Sequence, residues 1–278
     1  MYKYVLQKSV TVSGVSGCNH ITHVSTDRVW ISDGEGNLIL TNTTGDTLDQ
    51  VTGLYQYGYG VHTVTSDNEL IYIDSEYNII KLSTNKVKTT LIPYTSPWRR
   101  ECVYSSPSTG DLLVGIRRYT DTWAGKVNRY SNTGEHIQTI QHDNTGQELY
   151  SYPDYITENR NGDVIVSDSW SGVVVTDRRG RHRFTYTGPP SGSGLEPGGI
   201  CTDALSHILL CDFITNTIHI IDRDGNYLTE IVTVQHGIDR PWSLSYDDNT
   251  RSVWVGSYNT VNIYRLIYDW DNLTGKLY

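Results

Sequence analysis

The feature that most constrains this chain is a short apolar run that recurs six times. It appears as RVWISD (28–33), ELIYID (69–74), DLLVGI (111–116), DVIVSD (163–168), HILLCD (207–212) and SVWVGS (252–257). The last residues of these units stand 41, 42, 52, 44 and 45 positions apart. A period of about 40–50 residues marks repeat architectures such as solenoids and propellers. After a short loop each unit is followed by a second run: NLILTN, NIIKLS, KVNRYS, GVVVTD, TIHIID and TVNIYR. A half-exposed antiparallel sheet alternates apolar with polar residues. These middle strands do not, so both of their faces must be covered.

Each repeat has four antiparallel strands, which we name a, b, c and d. The recurrent unit is b and the run after it is c. Four repeats then turn at a glycine, Gly45, Gly134, Gly180 or Gly225, where a positive φ is expected. One repeat turns at Thr84-Asn85-Lys86 instead. Fringe strands d follow (TLDQV, HIQTI, HRFTY, YLTEI), and strands a precede the units (ITHV, VHTV, ECVY, DYIT, GICT, WSLS). Six such sheets packed face to face around an axis hide each other's apolar faces, so the expected fold is an all-β, six-bladed β-propeller of four-stranded antiparallel blades. Composition agrees: 21 Tyr, 7 Trp and 25 Gly against one Met suit strands and turns, and no helical spacer suggests a βαβ unit. The whole chain, 1–278, reads as a single domain. Its blades fall near 17–53, 54–93, 98–141, 152–188, 195–234 and 239–268. The sixth repeat lacks a strand d, so a closing strand at 2–12 is expected to complete it.

The four cysteines, at 18, 102, 201 and 211, form no C-x-x-C and no disulfide spacing. They read as reduced, buried thiols of a cytoplasmic protein. No run approaches 18 apolar residues, and MYKYVLQKSVTV lacks the continuous apolar core of a secretory signal. No membrane partner is expected. The formal net charge of −9 argues against a general nucleic-acid binder, and DNA is not expected as a partner. Charge is uneven, however. Residues 98–183 hold 11 of the 22 Lys+Arg and 11 of the 31 Asp+Glu, so the remainder carries the whole excess. Asp33, Asp74, Asp168 and Asp212 end strands b and resemble a ring of carboxylates. The ring is broken at Ile116 and Ser257. An Asp at a turn start commonly accepts a backbone N–H two residues on, and that is the expected role.

The pattern G-D-V-I-V-S-D-x-W-x-x-V-V-V-T-D-R-R-G, with H-I-L-L-C-D-F-x-x-N-T-I-H-I-I-D-R-D-G-N-Y, resembles NHL repeats. The match is good over 152–231, fair over 17–92 and poor over 98–140 and 240–267. Its style is similar to the C-terminal NHL propeller of tripartite-motif proteins, many of which are E3 ubiquitin ligases. The resemblance implies a non-catalytic module for recognising a ligase substrate or an RNA. The upstream RING, B-boxes and coiled coil of that family have no counterpart motif here. Family propellers that bind RNA use a strongly electropositive face, whereas this chain is acidic.

Topology locates the candidate face. The end of strand b lies beside the start of strand a, so b–c loops and d–a loops share one face, called the top. Trp123, Trp170, Phe213 and Tyr258 fall in b–c loops, the first of them in a longer loop at 117–125. Trp98, Tyr152 and Trp242 stand just before strands a. Arg99, Arg100, Arg117, Arg118 and Arg240 join them. Loops on a rigid scaffold collect binding residues, and Trp, Tyr and Arg are the usual hot-spot types. The top arginines are interleaved with acids, which suits a protein or peptide partner. A single-stranded RNA stacked on the tryptophans and held by the third blade's arginines is the alternative. A third reading, a metal-dependent hydrolase or lyase, comes from other six-bladed propellers that bind metal near the axis. His20, His23 and His62 are the candidate zinc ligands, and Glu101, Asp154 and Asp203 the candidate calcium ligands. Neither set has a ligand-spacing motif, so no cofactor is expected.

Overall fold

The structure, a computed structural model, describes residues 3–119, 122–192, 194–232, 240–257 and 260–267. The described chain opens with β1 (Lys3–Thr11). The first blade is β2 (His20–Ser25), β3 (Arg28–Ser32), β4 (Asn37–Asn42) and β5 (Thr47–Thr52). The second is β6 (His62–Val64), β7 (Leu70–Ile73), β8 (Ile79–Leu82) and β9 (Lys88–Ile92). The third is β10 (Arg99–Ser105), β11 (Leu112–Tyr119), β12 (Trp123–Tyr130) and β13 (His136–Ile140). The fourth is β14 (Pro153–Glu158), β15 (Val164–Asp168), β16 (Gly172–Thr176) and β17 (His182–Tyr186). The fifth is β18 (Pro197–Thr202), β19 (Ile208–Asp212), β20 (Thr217–Ile221) and β21 (Tyr227–Val232). The sixth holds β22 (Ser243–Asp247), β23 (Ser252–Gly256) and β24 (Thr260–Ile267).

The sixth sheet is completed by β1, which pairs antiparallel with β24 from Lys3 opposite Ile267 to Thr11 opposite Thr260. The inner strands touch in a closed cycle, β2 to β6, β10, β14, β18, β22 and back to β2. The chain is therefore a six-bladed, all-β propeller closed by its N-terminal strand.

The fourth blade shows why the middle strands are apolar on both sides. Val164, Val166 and Val174 pack into a core shared with the third blade, beside Leu113 and Val127. Ile165, Val173 and Val175 pack into a core shared with the fifth, beside Ile208 and Leu210. Successive residues of a strand point to opposite faces, and here each face meets another sheet. Closure uses the same device: Val29, Ile31 and Ile39 of the first blade pack with Trp254, Val261 and Ile263 of the sixth.

The turns follow the residues that end each strand. Asp33, Asp74, Asp168 and Asp212 accept the backbone N–H of Glu35, Glu76, Trp170 and Ile214, at 2.9, 2.9, 3.0 and 3.1 Å. Each thus caps its own b–c loop. At the c–d turns Gly45, Gly134, Gly180 and Gly225 have φ of 89°, 86°, 82° and 90°. The second blade places Lys86 there at φ 64°. All four cysteines are buried and unpaired.

Candidate functional site

The third blade's b strand is longer than its counterparts and its c strand is equalled only by β24, and this shapes the top face. The segment 117–125, expected as a loop, is largely a continued hairpin. Arg117 pairs with Gly125, Arg118 with Ala124 and Tyr119 with Trp123. The antiparallel ladder simply extends, because those residues can keep bonding past the height of the other blades. Residues 120 and 121 lie outside the described residues.

This hairpin and its neighbours build a stacked array. Arg117 is buried and makes an ion pair with buried Glu101 at 2.7 Å. Its guanidinium carbon lies 3.7 Å from the Tyr152 ring centroid and 4.5 Å from that of Trp123. Tyr119 contacts Trp123 at 4.7 Å between ring centroids, with the planes tilted by 53°. Arg118 and Lys126 both sit over Trp98, at 4.7 and 4.0 Å. Arg99 lies 5.4 Å from the Tyr77 ring, which contacts Tyr55 and Tyr94 at 4.8 and 5.4 Å. Planar guanidinium groups stack well on aromatic faces, and such contacts strengthen when desolvated.

Not every predicted arginine faces outward. Arg100 is buried, and it donates to the carbonyls of Tyr77 and Pro93, each at 2.7 Å. Arg100 and Arg117 therefore brace the face from within. Arg99 and Arg240 are exposed. The backbone N–H of Arg240 donates to Asn216 at 3.2 Å. Trp170 projects into solvent with 68% exposure, Tyr119 with 63% and Tyr57 with 80%. Tyr258 lies outside the described residues.

On the opposite side of the top face Phe213 contacts Trp242 at 5.8 Å, and Trp242 contacts Tyr59 at 6.2 Å. Tyr59 in turn meets Tyr155 at 5.9 Å. The buried Tyr155 hydroxyl donates to Asn19 O at 2.6 Å and lies 3.1 Å from Trp242 O. Tyr155 belongs to the fourth blade, whereas Asn19 precedes the first and Trp242 the sixth. The ring therefore spans the axis and closes the top of the central channel. Phe213 and Trp242 line this closure rather than standing free. Gly60 makes the tight packing here possible, since a Cβ would lie 2.7 Å from Asp154 O and 2.8 Å from the Cys102 Cβ.

Electrostatically the top holds buried acids against arginine. Burial pushes Glu101 up, and Arg117 opposes that shift. Burial raises Asp154 to about 7, against the hydrogen bond that Ser169 donates to it. Burial likewise raises Tyr152 to about 12.

The three candidate histidines separate. His20 and His62 meet at 4.4 Å between ring centroids, below Tyr155. His23 turns toward Asp247, with 3.4 Å between Nε2 and the carboxylate. Burial lowers His20 to about 3 and His62 well below the usual imidazole range. Among the described residues no group of three or more His, Cys, Asp or Glu side chains is placed to hold a metal ion. Glu101, Asp154 and Asp203 do not form one set: Asp203 instead pairs with His207 at 2.7 Å.

The sequence reasoning missed Tyr77, Tyr94, Tyr155 and Lys126. Tyr77 was findable, since it occupies the b–c loop of the second blade just as Trp170 does in the fourth. Tyr155 gave no such signal, because one aromatic in an inner strand looks like core.

Comparison with known proteins agrees with this architecture. No family model matches the chain. E3 ubiquitin-protein ligase TRIM56 of Mus musculus is 28% identical over 114 residues, and that of Homo sapiens 29% over the same length. The match covers 40% of this chain and 15% of those proteins. Among solved structures, the gluconolactonase XC5397 of Xanthomonas campestris superposes with a TM-score of 0.70 at 12% identity, covering 95% of this chain and 98% of that one. Virginiamycin B lyase of Staphylococcus aureus gives 0.64 at 14% identity, over 96% and 100%. The WD40 propeller domain of Doa1 gives 0.62 at 15% identity, over 95% and 97%. At such identities the shared property is the propeller fold.

Proposed function

We propose that this propeller is a recognition module without catalysis of its own, whose top face binds a protein or peptide segment. The observation that carries the reading is the exposure of Trp170 and Tyr119 beside an array that the buried Arg117 and Glu101 hold rigid. Exposed aromatics on a braced scaffold lose little freedom on binding, which is the property of a hot spot. Half-buried Trp98, Trp123 and Tyr152 extend the surface, and Arg99 and Arg240 supply charge at its edge. The similarity to TRIM56 supports a place in a tripartite-motif ubiquitin ligase, with this domain recruiting the substrate in the cytoplasm.

A displayed random-peptide library panned against the chain tests the reading, with a random single-stranded RNA pool run in parallel. Peptides that lose at least tenfold in affinity on Trp170→Ala with Tyr119→Ala, about 1.4 kcal/mol or more, support it. Single-stranded RNA is the rival ligand. RNA binding with a steep salt slope, lost on Arg99→Ala with Arg118→Ala, replaces the peptide reading.

A further inference from the structure

The third blade's middle hairpin carries two cations that the fold does not neutralise. Lys126 of β12 stands opposite Ile116 of β11, and Arg118 follows Ile116 by two residues. Cross-strand partners share a face, and so do residues two apart on a strand. Ile116 is buried in the core shared with the second blade, and Trp98 packs against that core. Arg118 and Lys126 therefore leave the hairpin on the same side, with their heads 4.7 and 4.0 Å from the Trp98 ring centroid. Two positive charges thus share one ring. Burial lowers Lys126 from its ordinary 10.5, and the neighbouring Arg118 charge lowers it further.

No carboxylate answers them. The chain carries 31 acidic against 22 basic residues, and other arginines of the third and fourth blades meet acids. Arg117 meets Glu101, Arg129 meets Glu158, and Arg183 meets Asp163. Among the described residues Arg118 and Lys126 make no ion pair and donate no hydrogen bond. Of their side-chain nitrogens only Nε of Arg118 is closed to solvent. The terminal donors stay available while the ring contacts hold. A guanidinium over a ring uses its flat face and keeps its in-plane N–H groups for another partner. An ammonium has three N–H groups, and they cannot all point at one ring.

Two cations over one ring form a point and not a track. They suit one compact dianion, met where the heads already lie, rather than a run of single charges along a backbone. A carboxylate neutralises only one of the two charges. A phosphate monoester carries about −1.5 to −2 at pH 7, with three strong acceptor oxygens, and so answers both.

We propose that Arg118 and Lys126, seated on Trp98, bind a phosphorylated side chain of the partner segment. This rests on the reading of the top face as a peptide-binding surface. Tyr119 and Trp123 pair on the other side of the same hairpin. A bound segment therefore lays its phosphate and its apolar anchors on opposite flanks of that hairpin.

Fluorescence polarisation on the full 278-residue chain tests this with three degenerate peptide pools of one design. The central residue is fixed as phosphoserine, aspartate or serine. The phosphoserine pool is expected to bind at least about tenfold tighter than the serine pool, near 1.4 kcal/mol, with aspartate between them. Arg118→Gln with Lys126→Gln is expected to erase that preference, Lys126→Gln alone to weaken it, and Lys126→Arg to retain it. A cooperative thermal melt establishes the fold of each variant, and Lys126→Gln serves if the double variant does not fold. Three results overturn the proposal: phosphoserine no better than serine, aspartate equal to phosphoserine, or a preference unchanged in a folded Gln variant. Trp170→Ala with Tyr119→Ala is expected to weaken all three pools and leave their ratio intact. Panned peptides that bind through Trp170 and Tyr119 with no phosphate preference overturn this inference alone, so the two readings fail separately.

Discussion

Replacing Arg117 by Met isolates the pair on which the top face rests. The substitution keeps most of the side-chain volume and removes the charge. Glu101 is then left buried with no countercharge, its side chain only 4% exposed. Breaking a buried pair by removing one partner costs about 3–5 kcal/mol. For a domain of this size each kcal/mol lowers the melting temperature by about 2–4 °C, so the loss is about 6–20 °C. The sign of the pH dependence follows from Glu101. Burial already raises its carboxyl above the ordinary 4.5, and Arg117 opposes that shift. Without Arg117 the folded-state value rises further while the unfolded value stays. The folded protein then holds a proton that the unfolded chain has released, and stability falls as pH climbs from 4.5 through the new value. The deficit of Arg117→Met is therefore smaller at acid pH than at pH 8. Adding Glu101→Gln removes the stranded charge. The double variant then lacks mainly the contacts of Arg117 with Trp123 and Tyr152, about 1–2 kcal/mol. Urea unfolding of the four proteins at two pH values gives the complete cycle. The reasoning fails if Arg117→Met costs under about 1 kcal/mol, or if Glu101→Gln restores nothing in its presence.

Three further outcomes follow from the same geometry. Tyr155→Phe keeps the ring but strands the Asn19 carbonyl, while Trp242 O keeps the Gly199 N–H at 2.8 Å, and is expected to cost about 1–3 kcal/mol in urea unfolding. Asp154 titrates near 7 in the folded protein against an ordinary 3.8, so stability declines between those values by up to about 1.4 kcal/mol per pH unit. Asp154→Asn flattens that slope and raises the melting temperature relative to the parent at pH 8, which thermal melts at pH 5 and pH 8 measure. Deleting residues 3–11 removes the strand paired with β24 and uncovers Tyr264 and Leu266, which pack with Tyr4 and Leu6. Loss of the cooperative melt, with aggregation on size-exclusion chromatography, is expected, because an unpaired strand edge invites association.

The architecture was legible because it rests on patterns that sequence carries directly. Val164 to Val166 show no alternation, and that alone demands sheets on both sides. Asp33, Asp74, Asp168 and Asp212 occupy turn starts, where a short carboxylate has a nearby N–H to cap, and each one caps it. The missing strand d of the last repeat implied a donor from elsewhere, and β1 supplies it. Side-chain destinations were less legible. Arg99 and Arg100 are adjacent in an edge-of-blade position, and the strand period sends one outward and the other inward to two carbonyls. Which of the two goes inward depends on the register of β10 against β11, which slips between Arg100 and Cys102. The cavity on the propeller axis was invisible for a related reason. The wall of this axial cavity is assembled from short stretches of six inner strands that lie far apart in sequence, and no local spacing records that convergence.

The fate of the arginines also bears on the choice of ligand. A single-stranded nucleic acid is held by cations that track its backbone, with bases stacked on aromatic rings. This chain has the rings, but its net charge is −9, and several cations near them are already engaged. Arg117 is matched by Glu101, and Arg100 is saturated by carbonyls. Arg118 and Lys126 converge on one ring, Trp98, rather than extending along a groove. The arginines thus act chiefly to stiffen aromatic side chains. Stiffened aromatics favour a partner that offers apolar side chains and backbone groups. A phosphate backbone would instead need those cations freed from their present contacts, each at the cost of a stranded carboxylate or an unstacked ring.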